Sequence, residues 1–311
     1  MQYRTLGRTG LQVSALSFGA SSLGGVFREV EASQCVRTVH LALSGGINFI
    51  DTSPFYGLGK AETMLGKALD GVPRDRYILS TKAGRYGSTE RDFDFSAARV
   101  KRSLDESLRR IGVDYVDILL AHDIEFADVQ QIIHETIPAL RELQKSRKAR
   151  YIGVSGLPIK VLRDVVQAAD VDVILSYCHF TLNDDALLEL LALLKQREIG
   201  IINAAPLATG LLSERPAPAW HPAPAELKET CRRAAAHCRA AGSRIEKLAI
   251  EYSIGNPDIA TTLVSSADPD EMRDNILWAN QPLDRQLLAE VKAILKPLHN
   301  MTWQSGRIEN N

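Results

Sequence analysis

The sequence predicts an α/β chain folded as an eight-stranded parallel β/α (TIM) barrel with an N-terminal β-hairpin, one domain over residues 1–311. Three observations predict it. Short runs rich in Ile, Val and Leu alternate with longer amphipathic segments, eight such runs occur, and the first turn, "GASSLGG" (19–25), is not the G-x-G-x-x-G of a doubly wound dinucleotide fold. Strands of five to seven apolar residues without polar alternation are what a parallel sheet covered by helices requires. Eight units in succession favour closure into a barrel.

The opening "MQYRTLGRTGLQVSALSFG" reads as a hairpin with Gly7 to Gly10 as its turn, running into a first barrel strand in "ALSFGAS". The following strands are "INFID" (47–51), "YILSTK" (77–82), "VDILLAH" (116–122), "ARYIGVS" (149–155), "VDVILSY" (171–177), "IGIINAA" (199–205) and "IATTLVS" (259–265). Helical periodicity covers roughly 31–44, 60–69, 96–111, 126–147, 158–168, 184–197 and a longer insertion at 223–253, one segment after each of the first seven strands. The Pro-rich "ERPAPAWHPAPAE" (214–226) after the seventh strand is a long loop and a candidate substrate lid.

Composition narrows the function classes. A hydrophobic fraction of 45% is ordinary for a globular chain. With 37 basic against 38 acidic residues and no long run of either sign, nothing selects nucleic acid or an anionic membrane surface as a partner. No apolar run is long enough to span a bilayer and no signal peptide is recognisable, which reads as a cytoplasmic protein. Cys35, Cys178, Cys231 and Cys238 lack metal-site spacing, so they are expected to be unpaired thiols and no metal site is expected.

In a β/α barrel the functional groups gather where strands end. Three consecutive strands end in polar residues: Asp51 in "GINFIDTSPFYGLGKAE" (46–62), Lys82 and His122, while Tyr56 follows in the loop after Asp51. A phenol near pKa ~10 is a poor base at neutral pH, and a neighbouring ammonium lowers that value. On this reading Lys82 partly ionises Tyr56, Asp51 supplies the counter-charge for Lys82, and His122 donates a hydrogen bond to the oxygen that Tyr56 serves. Such a group suits proton transfer at a carbinol or carbonyl oxygen.

In the contexts "DTSPFYG", "STKAG" and "LLAHDIE", Asp51, Tyr56, Lys82 and His122 resemble the catalytic tetrad of the aldo-keto reductases. The resemblance runs over nearly the whole chain, including "LGRTGLQVSALSFGA" and "DESLRRIGVDYVDI". It implies a barrel that binds a nicotinamide dinucleotide without a Rossmann fold. Further segments, "AHDIEF", "ETIPAL", "IGVSGLP", "VDVILSYCHF", "WHPAPAELK" and "NMTWQSG", are similar to members of that family that oxidise the anomeric carbon of a free aldose with NAD. That narrower likeness implies L-galactose as substrate and its lactone as product, with L-fucose or another aldose as the alternative. An NADPH-dependent aldehyde or ketone reductase, or a non-catalytic NAD(P)-binding regulatory subunit, are the competing readings.

The resemblance also implies a cofactor set. Ser155 matches a serine that contacts the nicotinamide carboxamide, with Gly156 in place of the common asparagine, and Tyr177 falls where a glutamine lies against the ring. "AAPLATGLL" (204–212) matches the segment that wraps the pyrophosphate, with Pro206, Leu207 and Gly210 in the usual places. Gly19, Ser265, Glu271 and Asn275 complete the set. Ser265 and Glu271 stand where NADP-using members carry basic residues. A carboxylate repels a 2'-phosphate of charge about −2 but accepts a hydrogen bond from a ribose hydroxyl, so NAD is the expected cofactor. Phe55, Trp220, His221 and Trp303, with His122, are candidate substrate contacts.

Overall fold

Each of the eight apolar runs forms a strand, and the strands close on one another. The computed structural model describes residues 1–26 and 29–311. Its barrel strands are β3 (Leu16–Gly19), β4 (Phe49–Asp51), β5 (Ile78–Ala83), β6 (Val116–Ala121), β7 (Ala149–Gly156), β8 (Val173–Tyr177), β9 (Gly200–Ala204) and β10 (Thr261–Val264). They pair in parallel in chain order, and β10 returns to β3 with Thr262 opposite Leu16. β1 (Tyr3–Thr5) and β2 (Gln12–Ser14) form the antiparallel hairpin expected before the barrel.

Because successive side chains of a strand point to opposite faces, a barrel wrapped by helices needs apolar residues on both. The core divides accordingly. Ile50, Leu79, Leu119, Ala121, Ile152, Val154 and Ile174 face outward into the helical layer. Phe49, Ile118, Leu120, Val173, Leu175, Ile202 and Leu263 fill the barrel, where Leu6, Leu11 and Val13 of the hairpin join them. The hairpin therefore plugs the end where the strands begin. Gly7, at φ +50°, lies so close to that rim that a Cβ there would come within 2.3 Å of Gly200 N, a place open only to glycine.

The helices are α1 (Ala32–Ser44), α2 (Lys60–Leu69), α3 (Ala97–Ile111), α4 (Val129–Gln131), α5 (Ile137–Lys145), α6 (Ile159–Ala168), α7 (Leu191–Gln196), α8 (Ala225–Ala240), α9 (Ile245–Ile254), α10 (Pro269–Trp278) and α11 (Arg285–Leu295). They depart from expectation in three respects. The segment read as helical over 126–147 begins at Val129, after the Asp128 cap, and widens into a π-turn over Ile132–Thr136. Pro138 follows, and its missing N–H and its ring disfavour a regular turn there. The insertion at 223–253 is two helices, broken beside Gly242 at φ +72°. α10 and α11 lie beyond the last segment that the periodicity reading covers. Leu287, Val291 and Leu295 of α11 join Leu227, Cys231, Ala234 and Cys238 of α8 in a second, smaller core.

All four cysteines are buried and unpaired. Burial pushes the Cys231 thiol up to about 12, so these thiols act as small apolar side chains. No helix among the described residues is long and apolar enough to cross a membrane.

Arg4 ties the hairpin to the barrel from below. Its guanidinium donates to the carbonyls of Asn256 (2.8 Å), Ile259 (2.8 Å) and Ile254 (2.6 Å), where α9 ends and its unpaired carbonyls need donors. Arg4→Ala is expected to lower unfolding free energy by about 2–3 kcal/mol, the usual loss for a charged donor to buried carbonyls, as read by urea denaturation. Its kcat should stay within about twofold of the parent, because the site lies at the opposite rim.

Candidate active site

The two-residue period that fills the barrel also delivers its polar tip. On β4 the inward series runs Phe49, Asp51; on β5 it runs Ile78, Ser80, Lys82; on β6 it runs Ile118, Leu120 and then His122, just past the strand. Tyr56 arrives differently. The chain turns after β4, with Tyr56 N–H donating to Ser53 O (3.1 Å) and Ala61 N–H to Tyr56 O (3.1 Å). Gly57, at φ +61°, packs on the turn after β3 so closely that a Cβ would lie 2.3 Å from Gly24 O. Two facing glycines thus set the depth of the phenol.

Lys82 is 1% exposed and Asp51 3%. Lys82 Nζ makes an ion pair with Asp51 Oδ2 and donates to Thr52 O (2.8 Å) and to Tyr56 Oη (3.3 Å). Ser80 Oγ donates to the other Asp51 oxygen (2.8 Å). Burial alone would lower the lysine's pKa, yet Asp51 and the phenol outweigh it and hold it above the ordinary value. Burial raises Asp51 from the ordinary carboxylate value, while Lys82 and Ser80 draw it back. The pair is ionised, with the proton on lysine.

The expected lowering of Tyr56 is corrected here. Burial raises the phenol's pKa above its ordinary value, and Asp51 and Asp123 add to the rise, against the pull of Lys82. Most of the ammonium's field is already spent on Asp51. Tyr56 at neutral pH is a phenol that accepts a hydrogen bond from Lys82.

His122 is buried, with its ring edge-on to Tyr56 at 5.8 Å between centroids. Ser53 Oγ lies 2.9 Å from His122 Nδ1 and already accepts the Phe55 N–H (3.1 Å). The Ser53 hydroxyl has a hydrogen to give to Nδ1, and the carboxylate oxygen Asp123 Oδ2, 3.6 Å from Nε2, favours the tautomer with the ring proton on Nε2. Burial, with the positive charges of Lys82 and Arg85, holds the imidazole pKa well below its ordinary value. His122 is a neutral donor through Nε2. Arg85 bridges to Asp123 Oδ2 (2.5 Å) and lies 3.7 Å over the Phe55 ring, which meets both Tyr56 and His122.

Tyr177 follows Val173 and Leu175 inward on β8, and its partly exposed ring is fixed by its hydroxyl, which donates to Glu125 Oε1 (3.0 Å). Ser305 Oγ (2.9 Å) and Leu157 N–H (3.3 Å) reach the same oxygen. Burial, then the nearby Asp123, pushes Glu125 up to about 8, so it is largely protonated at neutral pH. Ser155 Oγ donates to Ala121 O (3.3 Å) and accepts from Asp123 N–H (3.3 Å), within the rim.

After β9, Ala205, Ala208, Thr209 and Gly210 all take left-handed φ values. Three of these four are not glycine, and such strain concentrates where a backbone must curve around a charged ligand. Pro206 and Leu207 lie within this segment. Gly19 ends β3 beside Val264 and Ser265, and Ser265 Oγ joins Ser21, Ser22 and the Ser22 N–H at 2.8–2.9 Å. Glu271, in the first turn of α10, accepts from Ser266 Oγ (2.6 Å) and pairs with Arg215; Arg273 pairs with Asp270, and Asn275 lies one turn on. A partly exposed aromatic face, a strained concave backbone and a polar helix start fit the ring, pyrophosphate and ribose of a dinucleotide.

Of the expected substrate contacts, Phe55 and His122 lie together. Trp303 of the C-terminal segment meets His221 at 4.8 Å, and Trp220, 57% exposed, stacks on His221 at 6.1 Å, so the three rings gather where that segment meets the Pro-rich loop. His221 is no open pocket wall: Nε2 donates to Ala208 O (3.1 Å) and Nδ1 accepts Ala223 N–H (3.1 Å), pinning the loop to the strained segment. Sequence reasoning missed Ser53, Ser80, Arg85, Asp123 and Glu125. Ser80 alone carried a signal, two residues before Lys82 and hence on its face.

A closed β/α barrel whose rim joins Asp51, Tyr56, Lys82 and His122 is the class of protein that the comparisons identify: residues 15–296 match the Aldo/keto reductase family, and the chain belongs to it. It is therefore an oxidoreductase that uses a nicotinamide cofactor. The chain is 49% identical to the L-galactose dehydrogenase of Arabidopsis thaliana, over all of this chain and 99% of that one. It is 31% identical to the D-arabinose 1-dehydrogenase of Saccharomyces cerevisiae, over 94% of each. Among solved structures, the holo form of an aldo-keto reductase from Bacillus halodurans superposes with a TM-score of 0.78 at 27% identity, over 98% of each chain.

The depressed His122 pKa has a consequence for stability. Above pH about 6.5 the imidazole is neutral in both folded and unfolded chains and contributes nothing; below it the unfolded chain binds a proton that the folded site refuses. Stability is expected to fall through this group by up to about 1.4 kcal/mol per pH unit between pH 6.5 and the folded value. Urea titrations of His122→Asn across pH 7.5 to 5 should show a correspondingly shallower decline.

Proposed function

We propose that this protein is an NAD-dependent aldose 1-dehydrogenase that oxidises the anomeric carbon of L-galactose to the lactone. The observation that carries the reaction is the meeting of a lysine-supported phenol, Tyr56, with the neutral Nε2–H of His122 across one side of the site. An oxygen placed between them meets a proton acceptor and a hydrogen-bond donor at once. The full-length likeness to the Arabidopsis enzyme supports the choice of sugar.

In this reading Tyr56, as phenolate, removes the proton of the C1 hydroxyl. Lys82 stabilises the phenolate across 3.3 Å, and Asp51 keeps Lys82 charged. Ser53 and Asp123 favour the His122 tautomer that donates to the C1 oxygen. Tyr177, Ser155, Gly19, Ser265, Asn275 and the 204–212 segment would hold the dinucleotide, whose nicotinamide would accept the hydride from C1. Glu271 supports NAD: it is fixed by Ser266 and Arg215 at the start of α10, where a 2'-phosphate would face a carboxylate.

The test is an initial-rate assay by NADH absorbance with L-galactose, L-fucose, D-galactose and D-arabinose. L-galactose with NAD should be fastest, and Tyr56→Phe should lower kcat by about 10²–10⁴-fold. A sugar-blind enzyme, or a Tyr56→Phe variant of parental rate, would sink the reading. Since burial raises the phenol, oxidation should accelerate with pH from neutral into the alkaline range, approaching tenfold per unit, whereas lactone reduction should show no such rise.

Cofactor choice has its own check. Glu271→Gln removes the negative charge and frees Arg215, so Kd for NADP should fall about tenfold or more while Kd for NAD rises, as read by quenching of tryptophan fluorescence. An unchanged ratio would remove Glu271 from the cofactor set.

A further inference from the structure

Asp123 follows His122 directly and takes φ +54°, a left-handed conformation uncommon for a residue with a side chain. Its N–H is bound by Ser155 Oγ (3.3 Å), and the turn brings its carboxylate back over the site, Oδ2 lying 3.6 Å from His122 Nε2. Arg85 holds that oxygen at 2.5 Å and is itself clamped over the rings of Phe55 (3.7 Å), Phe93 (5.3 Å) and Phe126 (5.6 Å). Among the described residues no hydrogen bond reaches Asp123 Oδ1, and that oxygen is not among the sealed polar atoms of the interior. A carboxylate on a residue 3% exposed, with one oxygen pinned and the other without a hydrogen bond among the described residues, thus stands beside His122 Nε2.

Resting on the proposed function, we infer that Asp123, positioned by Arg85, recognises the C2 hydroxyl of the aldose. The two ring atoms bonded to C1 in a pyranose are C2 and the ring oxygen. Oxygens on C1 and C2 lie about a hydrogen-bond length apart, so an aldose whose C1 oxygen meets His122 Nε2 carries its C2 hydroxyl within reach of the neighbouring carboxylate. The ring oxygen has no hydrogen and cannot donate to it. Arg85 N–H completes the pairing by donating back to the hydroxyl oxygen, and the Phe55 ring beneath excludes water from both. Discrimination is strong in such a site, because a substrate lacking the hydroxyl leaves a buried acceptor without its donor.

The experiment compares kcat/KM for L-galactose, 2-deoxy-L-galactose and L-fucose, the last lacking only the remote C6 hydroxyl, in the parent enzyme and in Asp123→Asn. The parent should lose about 100-fold or more on 2-deoxy-L-galactose and less than about tenfold on L-fucose. Asp123→Asn should lose about as much on L-galactose and should no longer separate it from the 2-deoxy sugar, with its melting temperature checked beside the parent. The inference is overturned if the parent oxidises both sugars equally well, or if the variant loses the same factor on each, the signature of a residue that only braces His122. Failure of the parent on L-galactose and L-fucose alike would overturn the functional reading itself, an outcome distinct from both.

Discussion

Burying a lysine ammonium at the centre of a barrel mouth is the demand around which the rest of this site is arranged. Removed from water, the charge is tolerable only with a counter-ion and with every remaining proton satisfied. Asp51 supplies the counter-ion from the neighbouring strand, Thr52 O and Tyr56 Oη take further protons, and Ser80 satisfies the second Asp51 oxygen. Adjacent parallel strands hold these partners in place: Asp51 lies opposite Ser80 in the β4–β5 ladder, so the pair is set by backbone pairing and not by flexible loops.

The same arrangement decides how the phenol behaves. An isolated ammonium beside Tyr56 would draw out its proton, but this ammonium is neutralised at contact, and the phenol meets burial first. His122 is treated in the opposite sense. Burial and two nearby cations keep it neutral, with Ser53 at Nδ1 and the Asp123 carboxylate beside Nε2. Strain follows chemistry: of the non-glycine residues at positive φ, Leu58, Asp123, Cys178, Ala205, Ala208 and Thr209 all lie just beyond strand ends on the catalytic side.

Much of the fold was legible because a parallel barrel leaves a coarse trace. Strands buried on two faces read as continuous apolar runs, and a polar residue ending three of them in succession stands out. Ser53, Arg85, Asp123 and Glu125 left no such trace. Each is an ordinary loop residue in sequence and becomes notable only through a partner dozens of residues away. His221 shows the converse. Its neighbours Trp220 and Pro222 mark it as a pocket residue, yet both ring nitrogens are committed to backbone groups. α11 escaped notice because it packs on α8, outside the β/α repeat whose rhythm revealed the earlier helices.

By itself the sequence determined the strand count, the hairpin, most of the helical wrapping and the polar strand ends Asp51, Lys82 and His122, because each rests on local periodicity or on a residue type where a strand ends, with Tyr56 marked by the motif that follows Asp51. Tertiary structure alone decided which face of each strand looks inward, since apolar residues on both faces erase the alternation that would have shown it. It also decided the protonation of Tyr56, His122 and Glu125. A proton's free energy depends on burial and on charges brought together from separate strands, and those distances exist only once the barrel has closed.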